Sequence, residues 1–183
     1  MGLWIYVDNS NVFIEGQRVS AVKQGIAMNI YDAMNNKILD NSYRLDFGQL
    51  HFFLASKAPK SINRAMLFGS RPPPNDSLWK MAGAAGFETV IEDRNVANKE
   101  KKIDTGIVAS MMRHAYTAVD KGSDTMILVA GDKDFVPPVS ALVEDDFPVH
   151  VVFWDHASQE LKDAASRFDS LDPYLDGLRY TKC

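Results

Sequence analysis

The chain has 183 residues, 46% hydrophobic and 24% charged, with 20 Lys and Arg set against 24 Asp and Glu. That balance belongs to a folded domain able to bury a core, not to a disordered tail. A formal charge of −4 excludes polyanion binding through bulk charge, so any nucleic-acid ligand needs a local basic patch. The single cysteine, Cys183, excludes a disulfide framework and a cysteine zinc site. With no basic leader before the first apolar run and no apolar stretch near ~18 residues, a cytoplasmic protein without a membrane segment is expected.

In chain order, residues 3–7 form a short apolar run bounded by polar residues, which predicts a buried strand. Residues 25–43 are long for a connection and carry helical spacing at Ile30, Met34 and Ile38. They are expected to be an insertion or a lengthened first helix. Leu50, Phe53 and Leu54 mark a helix before a second strand at 64–68. A proline-rich loop leaves that strand. Leu78, Met81 and Ala82 mark the next helix, and residues 88–91 a weaker third strand. Ile103, Ile107, Met111 and Ala115 recur at spacing four and predict a long amphipathic helix. A fourth strand follows at 125–130. Val139, Leu142 and Val143 predict a shorter helix with Pro137 and Pro138 in its first turn. A fifth strand spans 149–154, and Leu161, Ala164, Ala165 and Phe168 mark a last helix. The alternation predicts one α/β domain over 1–183 with a mostly parallel five-stranded sheet. Trp79, Phe135 and Trp154 read as packing residues, and His114 and His150 as structural. His156 lies in a loop at a strand's carboxyl end.

The carboxylates fall at informative places. Asp8 ends the first strand, Asp132 and Asp134 follow the fourth, and Asp104 begins the long helix. In open α/β sheets, ligands bind beyond the carboxyl ends of the strands where strand order reverses. With strand order 3-2-1-4-5, strands one and four are neighbours at that reversal. Asp8, Asp132 and Asp134 are expected to face one crevice, and the start of the helix that carries Asp104 to close it. Two carboxylates ~6 Å apart repel by roughly 3 kcal/mol at an effective dielectric of ~20. A cluster of four would rival the ~5–15 kcal/mol stability of a domain. It therefore calls for protons, cations or strong screening, and all-oxygen donors favour Mg²⁺ or Mn²⁺. Each acid also has a plainer reading. Asp8 can end a strand, Asp104 and Asp134 can cap helices, and Asp132 can shape a turn.

The blocks Val7-Asp8-Asn9-Ser10-Asn11, Lys101-Lys102-Ile103-Asp104-Thr105-Gly106 and Ala130-Gly131-Asp132-Lys133-Asp134-Phe135 occur in this order, ahead of Val151-Val152-Phe153-Trp154. Together they resemble the NYN domain, specifically the LabA-like branch of the PIN-like nucleases. The resemblance implies a three-layer PIN-like sandwich and an Mg²⁺- or Mn²⁺-dependent ribonuclease site, with Asp8, Asp104, Asp132 and Asp134 as catalytic metal-binding acids. Asn11 matches a polar position beside the first acid and is expected to orient a water or a phosphate. Arg71, Lys101 and Lys102 are the candidate phosphate-binding cations. RNA is the expected partner, with DNA and self-association left open. A non-catalytic RNA- or protein-binding regulator on the same fold is the alternative. A dinucleotide site is excluded, because no Gly-x-Gly-x-x-Gly follows the first strand.

Overall fold

This computed structural model describes residues 2–57, 61–71, 76–93 and 99–181, without the side chains of residues 71, 93 and 99–102. The strands are β1 (Gly2–Asp8), β2 (Ser61–Arg71), β3 (Glu88–Asp93), β4 (Thr125–Val129), β5 (Val149–Phe153) and β6 (Arg167–Ser170). The helices are α1 (Asn9–Lys23), α2 (Ile30–Asn35), α3 (Phe47–Ala55), α4 (Ser77–Ala84), α5 (Lys99–Thr117), α6 (Val136–Glu144) and α7 (Gln159–Ala164).

The strands pair in parallel in the order β3-β2-β1-β4-β5-β6. Every residue of β1 is buried, as a central strand covered on both faces requires. Its side chains alternate between faces with the two-residue period of a strand. Leu3, Ile5 and Val7 enter a core built with residues of α1, α3 and α4. Trp4 and Tyr6 enter a second core built with residues of α5, α6 and α7. The molecule is thus a three-layer α/β sandwich. Among the described residues, no helix is long and apolar enough to cross a membrane.

The sheet has six strands, where five were expected. Phe168, read from its spacing as part of the last helix, lies in β6. Helix α7 stops at Ala164, and Ala165 is already extended. Ser166 then stitches the chain to β5: its N–H donates to the Val149 carbonyl at 2.9 Å, and its Oγ accepts the Val149 N–H at 3.2 Å. The open edge of β5 needs partners for its backbone groups, and four residues of β6 supply them.

Helix α4 also departs from the expected stripe. Trp79 and Ala82 are buried, whereas Met81 is 43% exposed. The Trp79 ring lies over Gly69 of β2, where a Cβ would sit 2.3 Å from it. In α5 the spacing-four residues Ile103, Ile107, Met111 and Ala115 are buried as predicted.

Candidate functional site

Strand β1 pairs with β2 on one side and with β4 on the other. The chain therefore reverses its direction of winding between β1 and β4, and loops leaving their carboxyl ends diverge. A cleft of about 410 Å³ opens there, with Asp8, Asn11, Glu15, Arg18, Ser70, Asp104 and Asp132 among its lining. Segments nearly a hundred residues apart in sequence bring Asp8, Asp104 and Asp132 to this one space.

Asp8 is the last residue of β1 and the N-cap of α1. Its buried carboxylate accepts the Asn11 N–H at 3.2 Å. The positive end of the α1 dipole lies beside it and favours its charge. Asp104 is not a cap. Helix α5 begins at Lys99, so Asp104 stands in its second turn, half-buried beside the buried Ile103. Asp132 is exposed and caps a 3₁₀ turn at Lys133–Phe135, its Oδ1 accepting the Asp134 N–H at 3.0 Å. The turn reading of Asp132 is therefore correct, and the same side chain also borders the cleft. The buried Phe135 ring anchors that turn in the core under α6.

Asp134 is exposed and is not part of the cleft lining. Nor does it cap α6, whose N-cap is Phe135 with no side-chain hydrogen bond. Asn11 borders the cleft, and its Oδ1 accepts the Gly131 N–H at 3.0 Å. This bond ties the end of β1 to the loop after β4. It occupies the amide oxygen and leaves the NH₂ as the group that could meet a water or phosphate. Gly131 itself admits no side chain, because a Cβ would lie 2.2 Å from the Phe153 ring.

The side chains of the predicted phosphate-binding residues Arg71, Lys101 and Lys102 lie outside the described residues. Lys133 is exposed and does not border the cleft. Two charged residues that the sequence does not single out border it, Glu15 and Arg18. The Arg18 Nη1 pairs with Glu15 Oε1, and the His156 Nε2 meets Glu15 Oε2 at 2.6 Å. Asn11, Glu15 and Arg18 recur at helical spacing on α1. That polar stripe, running back to Asp8, was the available signal.

The donors around the cleft are oxygens, the chemistry that suits Mg²⁺ or Mn²⁺. Among the described residues, however, no group of three or more His, Cys, Asp or Glu is gathered closely enough to hold an ion. Mg²⁺ commonly keeps several waters and takes only one or two carboxylates directly, so a loose acidic ring fits a hydrated ion better than a closed cage. Next to Asp8 in sequence, the buried Asn9 has an Oδ1 with no hydrogen-bond partner, but Asn9 does not border the cleft.

The fold has a counterpart in the crystal structure of a protein of unknown function from Vibrio parahaemolyticus RIMD 2210633. The two match with a TM-score of 0.66 at 20% sequence identity, over 93% of this chain and 92% of that one. At that identity the likeness speaks for the fold. No curated protein matches the chain. The NYN domain family model matches residues 3–172, a span that holds all of the sheet but Gly2 and every acid described above. The chain belongs to the NYN domain family, with an α/β architecture consistent with the PIN-like nuclease fold.

Proposed function

We propose that the protein is an Mg²⁺- or Mn²⁺-dependent ribonuclease of the LabA-like branch, hydrolysing RNA phosphodiester bonds in this cleft. The observation that carries the reading is the meeting of Asp8, Asp104 and Asp132 at the β1/β4 reversal. Asp8, Asp104 and Asp132 are the metal-binding acids of the proposed site. Asp134, on the same turn as Asp132, is its fourth acid on the solvent side. A bound divalent ion would neutralise the acids, polarise the phosphoryl group and lower the pKa of a bound water. The chain's own contribution is position. Asp8 is fixed by the cap it makes, and Asp132 by its turn. The Asn11–Gly131 bond keeps the ends of β1 and β4 in register. The Asn11 NH₂ is suited to hold a phosphate oxygen or the attacking water.

A labelled RNA incubated with Mg²⁺ or Mn²⁺ is cleaved on this reading. EDTA and Asp132→Asn each stop cleavage while circular dichroism stays native. Unchanged cleavage by purified Asp132→Asn contradicts the assignment. The spacing of the acids favours one second reading, a regulator that binds RNA without turnover. Metal-independent RNA binding with no product would select it.

A further inference from the structure

We infer that Arg18 is a substrate-phosphate-binding residue of the cleft, pre-set by a Glu15–His156 pair that ties α1 to the loop after β5. The inference rests on the phosphodiester reading above and names the group that lets a polyanion enter an acidic site. Four acids, Asp8, Glu15, Asp104 and Asp132, border the cleft, and among its described lining residues Arg18 is the one cation. A phosphodiester approaching those carboxylates is repelled unless a positive group meets it first.

The Arg18 side chain is held for that task. One guanidinium nitrogen, Nη1, pairs with Glu15 Oε1 one turn earlier on α1. The other Glu15 oxygen accepts from His156 Nε2 at 2.6 Å, across 141 residues of sequence. The Arg18, Glu15 and His156 side chains are only 20%, 13% and 11% exposed. Glu15 is thus engaged from both sides and holds the guanidinium at one nitrogen.

Glu15 does not exhaust the guanidinium. Arginine carries five N–H donors in a planar fork, and Glu15 engages it at Nη1. The Nε is buried without a partner and out of a ligand's reach, so the terminal nitrogens are the ones that meet a substrate. A pair between i and i+3 on one helix is individually weak, so Glu15 does not hold Arg18 away from a stronger acceptor. Phosphate oxygens accept from the terminal nitrogens that Glu15 does not saturate, and arginine commonly serves them two at a time. When Arg18 turns its donors to a phosphate, His156 still holds Glu15.

The test is binding, read by fluorescence anisotropy of a labelled single-stranded RNA in EDTA across a series of KCl concentrations. Each phosphate contact on a single strand contributes about 0.7 to the slope of log affinity against log salt. Arg18→Gln should reduce that slope by about 0.7 and weaken binding about tenfold at low salt. Arg18→Lys, which keeps the charge and loses the fork, should restore the slope and recover only part of the affinity. A slope and affinity unchanged in Arg18→Gln overturn the inference even if the wild type cleaves RNA. Misfolding of Arg18→Gln passes the decision to Arg18→Lys, where full wild-type affinity overturns it. Cleavage by Asp132→Asn removes the nuclease reading and leaves the slope to judge Arg18. Absence of RNA binding by the wild type in EDTA overturns the inference, while the nuclease reading is judged separately by cleavage in Mg²⁺ or Mn²⁺.

Discussion

His114 of α5 is buried under the sheet, with its Nδ1 2.8 Å from the Tyr6 hydroxyl and its Nε2 3.0 Å from Arg64 Nη1. A guanidinium has no lone pair to give, so Nε2 accepts and Nδ1 carries the proton. The ring is therefore a neutral link between β1 and an Arg64 that is itself paired with Glu88. Burial first, then the Arg64 and Arg113 charges, hold the His114 pKa below the ordinary histidine value. Burial also pushes the Tyr6 hydroxyl well above the usual tyrosine range, so Tyr6 stays protonated. The unfolded chain binds a proton at His114 near pH ~6.5, and the folded chain resists it. The resulting stability is complete above that pH and is lost as the pH falls below it. The urea midpoint of the wild type should therefore drop from about pH 7.5 to about pH 5.5, and drop less in His114→Gln. Burial also lowers the pKa of His51, so part of the slope survives in the variant. An identical slope in both proteins would contradict this role for His114.

Helix α1 carries Asn11, Glu15 and Arg18 to the cleft, and its seating depends on a close approach. Gly16 faces the Trp154 ring, where a Cβ would stand 2.8 Å from one ring carbon and 3.0 Å from Tyr43. The Trp154 Nε1 also donates to the Val12 carbonyl at 2.9 Å, fixing the ring beneath the helix. Alanine in a helix gains up to ~1 kcal/mol over glycine, but overpacking a rigid aromatic costs ~1–3 kcal/mol. Strain wins here, and Gly16→Ala should be destabilising. Gly83 in α4 has nothing within 4 Å of an added Cβ. There the propensity gain stands alone, and Gly83→Ala should raise stability by about 0.5–1 kcal/mol. Urea unfolding of the two variants checks the opposite signs, and a stabilised Gly16→Ala would show that α1 is not pinned as described.

The same element scale explains what could be read from the chain. Strands β1, β2, β4 and β5 were legible because their apolar runs are short and punctuated. Strand β6 was not, because the four residues Arg167–Ser170 form a partly exposed edge without such a run. Helix α5 starts in the polar turn at Lys99, before its apolar stripe begins at Ile103. Its start was consequently read late, which made Asp104 resemble a cap. In α4 the spacing favoured Met81, although the pocket above Gly69 suits the larger Trp79 ring.

Across the whole molecule, the candidate site was legible where it depended on strand ends. Asp8 and Asp132 sit at positions that any parallel sheet of this order brings near its reversal point. Glu15 and Arg18 required knowing that α1 starts directly after Asp8, so that their spacing becomes a face. The Glu15–His156 contact had no sequence signal, since helix and loop meet only through the fold. Asp134 shared a motif with Asp132, but its backbone N–H, not its side chain, takes part in the turn's hydrogen bond.

Metal binding by the acidic ring is the claim on which the functional account turns, and Mn²⁺ titration calorimetry measures it without requiring turnover. Asp8→Asn and Asp104→Asn are the informative variants. Asparagine caps a helix about as well as aspartate, so the first keeps the α1 cap and loses only the charge, and the second neutralises a residue that caps nothing. The account predicts saturable Mn²⁺ binding to the wild type, with a melting temperature that rises with metal concentration, and affinity reduced at least about tenfold in either variant, a loss of ~1.4 kcal/mol. Equal Mn²⁺ affinity in the wild type and both variants, or no binding to any of them, would contradict it.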